Sequence, residues 1–208
     1  MRDLIGAIGR KPVKVTDWAG LVEVLRAGAA YLSQGASYSY LRARSGLAGP
    51  RLFQDEGFGF ALNICKWEGF AAAAQDLVLI AEAEMRPEPR VDRLRLGEAL
   101  VALYRDILAA EPVPEHRRAT GWEDLEIEFA ARLPAVLQDP PRRPEVHSVF
   151  TARRLLAHAP IDDTIRAYDE EMVVNNVAFR FTDHLSHLRR SIDFEATAQA
   201  IAARAEAA

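Results

Sequence analysis

Five histidines, one cysteine and 30 carboxylates are the groups with which this 208-residue chain could do metal, nucleophilic or acid–base chemistry. A di-iron centre in a helical bundle needs Glu-x-x-His on two helices. The residues three before His116, His147, His158, His184 and His187 are Val113, Pro144, Leu155, Phe181 and His184, so that class fails residue by residue. His184 and His187, at i and i+3, share one side of a helix and could share a metal. By the same spacing Asn176, Arg180, Asp183, His187 and Arg190 trace a polar face. The pair is therefore expected in solvent, and no metal or other cofactor is expected. Cys65 sits mid-helix among apolar neighbours, where a thiol is inert. There is no Gly-x-Ser-x-Gly elbow and no Walker A loop, and Gly57-Phe-Gly59 lacks the third glycine and preceding strand of a dinucleotide site.

One polar constellation remains. Tyr31, Gln34, Tyr38 and Arg42 follow helical spacing, with Tyr40 and Arg44 beside them, while Asn63, Lys66 and Glu68 interrupt an apolar run further along. Lys66 and Glu68 are about 200° apart on a helix, so a central helix must bury at least one of them, and a buried charge needs a partner. Arg42 or Arg44 is the expected partner of Glu68. Two outcomes are open: a packed ion-pair and tyrosine network, or a pocket for a small anionic ligand lined by Tyr31, Tyr38, Arg42, Arg44, Asn63, Lys66 and Glu68. Asn175-Asn176, inside a later helix, reads equally as a core polar pair or a contact site.

The elements that must position these groups are all helical. No stretch shows sustained period-2 alternation, whereas 3/4 spacing recurs throughout. The reading is an all-α bundle of about six or seven helices, dominated by long antiparallel ones, with no β-sheet. The first helix is expected from a cap at Thr16 or Asp17 to about Arg44, and the second from Arg51 to Met85, apolar on two sides and therefore central. A third spans about Val91 to Ala110. Thr120-Gly-Trp-Glu123 reads as a capping box opening a fourth. A shorter helix covers Glu145 to Ala159, and the last long one, capped by Asp162 or Asp163, runs from Thr164 to Phe194 with Val174, Val177, Phe181, Leu185, Leu188 and Ile192 inward. The organisation expected is an N-terminal arm over 1–15, one helical domain over 16–194 with a possible internal boundary at 139–144, and an Ala-rich helical or frayed tail over 195–208.

Composition narrows the function. Residues 1–51 carry eight Lys/Arg against three Asp/Glu, the remainder eighteen against twenty-seven, and arginine outnumbers lysine 23 to 3. A helix-turn-helix forced onto Tyr38–Phe60 would point Asp55 and Glu56 at phosphate, so nucleic acid is not an expected partner. The N-terminal apolar patch is too short for a secretory signal, and one cysteine forbids an intrachain disulfide, so a cytoplasmic setting is expected. Residues 1–14, with Leu4, Ile5 and Ile8 among Arg2, Arg10, Lys11 and Lys14, could serve as an amphipathic arm on a membrane surface. Gly28 and Gly35, seven apart, and Phe53, Gly57, Phe60 and Trp67 suggest close helix contact. The leading expectation is a non-catalytic interaction or assembly protein, homodimeric through its first two helices. The alternatives are a small-ligand sensor with the pocket above, an enzyme without short motifs, and a peripheral membrane protein.

Overall fold

The computed structural model describes residues 14–86 and 93–207. Nine α-helices follow one another among them: α1 (Trp18–Ser45), α2 (Gly49–Leu52), α3 (Glu56–Met85), α4 (Arg93–Ala109), α5 (Glu123–Gln138), α6 (Pro144–His147), α7 (Val149–His158), α8 (Asp163–Ser191) and α9 (Phe194–Ala207). Seven have ten or more residues, and the described residues contain no sheet, as the periodicity requires. None of these helices is long and apolar enough to cross a membrane.

The three longest helices start on aspartates. Asp17, Asp55 and Asp162 each accept a hydrogen bond from a first-turn amide, Gly20, Phe58 and Thr164 respectively, all at 2.8 Å, which satisfies a donor the helix itself cannot. The second expected helix is broken near its start: Gly49-Pro50 forms only the single turn of α2, and the chain restarts at the Asp55 cap. The Thr120 capping box does not form. Gly121 turns the backbone to φ +59°, Trp122 takes the cap position without a side-chain cap, and α5 begins at Glu123.

α3 is the axis of the molecule. It touches α1, α4, α5, α6, α7 and α9, and every residue from Glu68 to Glu82 is buried. A helix apolar on all sides has no other stable place in a bundle. Small residues set the spacing around it: a Cβ on Gly69 would lie 2.2 Å from the Leu155 side chain of α7 and 3.4 Å from Ser33 of α1. One apolar cluster joins residues on both sides of the 139–143 connection, including Leu133, Val136, Ala152 and Leu155. The Ala-rich tail is helical over its described length, as α9: Thr197 and Ile201 are buried, and α9 packs on α4. Val15 pairs with the α8–α9 joint, its N–H donating to Ser191 O at 2.8 Å and its C=O accepting from Asp193 N at 2.9 Å. Residues 1–13, most of the expected membrane-surface arm, lie outside the described residues.

Gly69 and Gly59 sit on the same helix in opposite circumstances, since nothing lies within 4 Å of a Cβ on Gly59. Gly59→Ala should raise stability by about 0.5–1 kcal/mol through helix propensity. Gly69→Ala should lower it by about 1–3 kcal/mol through overpacking against Leu155 and Ser33. Urea unfolding midpoints of the two variants should move in opposite directions.

Candidate functional site

The polar interior is organised along α3 at heptad spacing. Glu68, Gln75 with Asp76, and Glu82 fall seven residues apart, so they line one side of the helix, where α5, α7 and the 3₁₀ turn Glu115–Arg117 approach. Each is met by arginine. Arg117 clamps Glu68 bidentately, Nε to Oε1 at 2.5 Å and Nη2 to Oε2 at 2.8 Å, and Arg154 adds Nη2 at 2.8 Å and Nε at 3.1 Å on Oε2. His116 Nε2 lies 2.9 Å from Oε1 and His158 Nε2 3.8 Å from Oε2. Burial pushes the Glu68 carboxyl up, but the hydrogen bonds from Arg117, His116 and Arg154 together outweigh it and hold the group at about 2. Asp76 accepts from Arg132 Nη2 at 2.9 Å and from the Thr151 amide and hydroxyl at 3.0 and 2.6 Å. Its complete burial prevails, pushing it up to about 6. Glu82 pairs with Arg86 at 2.6 and 2.7 Å.

Glu68 is thus buried by its neighbours on α7 and the Glu115–Arg117 turn, not by α1. The expected pairing with Arg42 or Arg44 does not occur, because Arg44 turns to Asp169 of α8, which also accepts from the Tyr40 hydroxyl at 2.7 Å. The expected pocket joining Tyr38, Arg42 and Glu68 does not form either. Tyr38 and Arg42 instead flank an open surface concavity of about 680 Å³ with Ser45 and Phe53. Tyr38 stacks on Phe53 at 6.0 Å, and Lys66 Nζ lies 5.7 Å from the Tyr38 ring centre. Asn63 is half-buried on α3.

The small residues of α1 are occupied within the chain. A Cβ on Gly28 would meet His184 Nε2 at 2.5 Å, and one on Gly35 would meet Arg180 Nη1 at 2.8 Å. His184 therefore is not in solvent. It is buried over Gly28, its ring 6.0 Å from Tyr31 and 5.4 Å from His187, with Nε2 unpaired. Burial and His187 hold it at about 4. The polar-face spacing failed here because α1 is thin enough at Gly28 to admit the imidazole. Of the other interface candidates, Trp67 packs edge-on to Phe70 and 6.4 Å from Trp122, Phe53 is half-buried, and Gly57 and Phe60 are exposed. Cys65 is buried, its thiol pushed up to about 11 by desolvation.

The surface carries a feature that the periodicity reading passed over. On α8 the face opposite the buried stripe runs Ile165, Tyr168, Met172, Asn175, Phe179, Thr182 and Ser186, an unbroken 3/4 repeat, and all seven are exposed. Ile165 is 43%, Tyr168 88%, Met172 45% and Phe179 73% accessible. The signal was present in the sequence, but the stronger inward stripe of the same helix masked it. A second apolar concavity, about 660 Å³, lies between α4 and α5. There Pro134 cannot donate to the carbonyl of Ala130, and both residues line the wall.

The molecule is an all-α bundle with an arginine-clamped polar interior and an exposed heptad seam. No family model, curated protein or solved structure matches the chain.

Glu68→Gln should cost about 1–3 kcal/mol at pH 7, since Arg117 and Arg154 lose their shared carboxylate and keep only Asp124 and Glu128 as charge partners; urea unfolding measures it. Independently, His184 is held below its unfolded value of 6.5, so the stability it confers is complete above pH 6.5 and is lost as pH falls toward 4. Chemical denaturation from pH 7 to 4 should show that loss, and His184→Phe should flatten the slope.

Proposed function

We propose that the protein is a non-catalytic assembly module that forms a homodimer, with the outer face of α8 as its contact surface in place of the first two helices. The observation that carries this reading is the exposed heptad-spaced seam. Its four large apolar side chains expose on the order of 500 Å², within the range of about 300–600 Å² of the largest apolar patches on monomers, which are often functional. Its 3/4 repeat is that of a helix seated against another helix. The interior supports the same reading, because the buried carboxylates of α3 are saturated by in-chain partners.

A second reading, a small anionic ligand at the Tyr38 concavity, is favoured by the convergence of Arg42 and Lys66 on Tyr38 and Phe53. It takes second place because the site is open and shallow, without a buried polar group turned into it.

In sedimentation equilibrium the wild type should weigh about twice its 23.1 kDa. The double variant Tyr168→Glu/Phe179→Glu should sediment as a monomer that keeps the helical circular-dichroism spectrum of the wild type but unfolds at lower denaturant, by the association energy it has lost. A wild type that stays monomeric at every accessible concentration removes the reading. A dimer indifferent to both substitutions moves the surface elsewhere, with the α4–α5 groove next in line.

A further inference from the structure

From the seam of α8 we infer that two copies of this helix pair antiparallel, crossing between Asn175 and Asn176, and that Asn175 selects this register. The inference rests on the dimer proposed above and adds its geometry.

The seam residues fall at 165, 168, 172, 175, 179, 182 and 186, so Asn175 is the central member of seven. Three residues precede it and three follow. On a lone surface helix this asparagine is simply hydrated; at the centre of a twofold contact it takes on a pairing role. A lone asparagine at such a position pairs with its own copy across the interface and penalises every register that buries it against an apolar residue. Asn176 lies beside it and is also exposed, so the crossing point carries two amides per chain.

Charge selects the direction. α8 begins with Asp162 at its cap and Asp163 in its first turn, and ends with Arg189 and Arg190 in its last. A parallel pair would set these like charges side by side at both ends. An antiparallel pair about residues 175 and 176 sets residues 161–163 of one copy level with 188–190 of the other, so that Asp162 and Asp163 come near Arg190, while Arg189 stays on Glu84 and Asp163 also meets Arg166 of its own chain. The helix dipoles align favourably in the same arrangement. The seam is also asymmetric along its length: Ile165, Tyr168 and Met172 are apolar, whereas Thr182 and Ser186 are small and polar. Antiparallel pairing lays the bulky half of each copy over the slim half of the other, and brings Tyr168 opposite residue 183. Parallel pairing would stack Tyr168 on Tyr168 and leave the slim halves facing each other across a gap.

Isologous contact of this kind closes at two subunits, because each seam is used once. The end pairs are exposed, so dimer formation should weaken with added salt.

Single cysteines placed in a Cys65→Ala background test the geometry. Asn175→Cys, at the crossing point, should oxidise to a disulfide-linked dimer. Thr182→Cys should not, because in the antiparallel pair its two copies are about 20 Å apart. A Tyr168→Cys protein mixed with an Asp183→Cys protein should cross-link as a heterodimer. Replacement Asn175→Leu should keep or tighten association while loosening register, so that Thr182→Cys now begins to cross-link in that background. A dimer in which Thr182→Cys links efficiently without Asn175→Leu is parallel, and overturns this inference while leaving the dimer proposal standing. A monomer at all concentrations overturns both.

Discussion

A carboxylate buried on the central helix and clamped by arginine is the interaction on which this fold depends. α3 has to be buried on all sides, yet it carries Glu68, Asp76 and Glu82 in its most enclosed stretch. Stranded in that interior, each would cost several kcal/mol. The chain answers with Arg117 and Arg154 at Glu68, Arg132 at Asp76 and Arg86 at Glu82, delivered by four different segments. The clamps at Glu68 and Asp76 are therefore also ties between α3 and a neighbour, whereas Arg86, the C-cap of α3, makes its tie through the Val136 and Asp139 carbonyls. The ties specify which face of α3 meets which neighbour more sharply than the alanine-rich apolar contacts can. This also gives physical content to the excess of arginine over lysine. A planar fork can satisfy both carboxylate oxygens at once and loses less hydration on burial than an ammonium.

The second constraint is the close approach of α8 to α1. Gly28 and Gly35 leave room on α1 for His184 and Arg180, and Asp169 receives Tyr40 and Arg44 from the same helix. A single long helix is thereby held along most of its length by side chains inserted into α1. Its far end is fixed by the Val15 bridge and by Arg189 on Glu84, at 2.7 and 2.8 Å.

Much of this was legible in the sequence and some was not, for identifiable reasons. The helices, the centrality of α3 and the two caps to within one residue, Thr16 or Asp17 and Asp162 or Asp163, follow from spacing and capping chemistry, which are local. That at least one of Lys66 and Glu68 would be buried also followed, from their angular separation; that it is Glu68 did not. Its partner did not follow. Polarity alone made Arg42 and Arg44 as eligible as Arg117 and Arg154, and only the tertiary arrangement of α7 and the Glu115–Arg117 turn decides between them. His184 was misplaced for a related reason: a polar residue on a polar-looking face can be buried when a glycine on the facing helix makes room. The α8 seam was written in the sequence at heptad spacing, yet it could be told from core only once the opposite face was seen to be filled.

These two constraints bear on where function can reside. The interior polar groups are committed: Glu68, Asp76 and Glu82 each accept from arginine within the chain, and the Cys65 thiol is held protonated by burial. A network whose lone pairs are already satisfied resists reorganisation, because any new contact must first break a charge-assisted one. What it provides is a rigid frame. α8, anchored on one side by α1 and at its end by Val15 and Glu84, presents its outer face as a pre-ordered strip of side chains on a fixed backbone. Association through such a strip orders little that was not already ordered, which lowers the entropic cost that limits most protein contacts. The buried arginine clamps and the exposed seam are in this sense one design: the first holds still what the second presents.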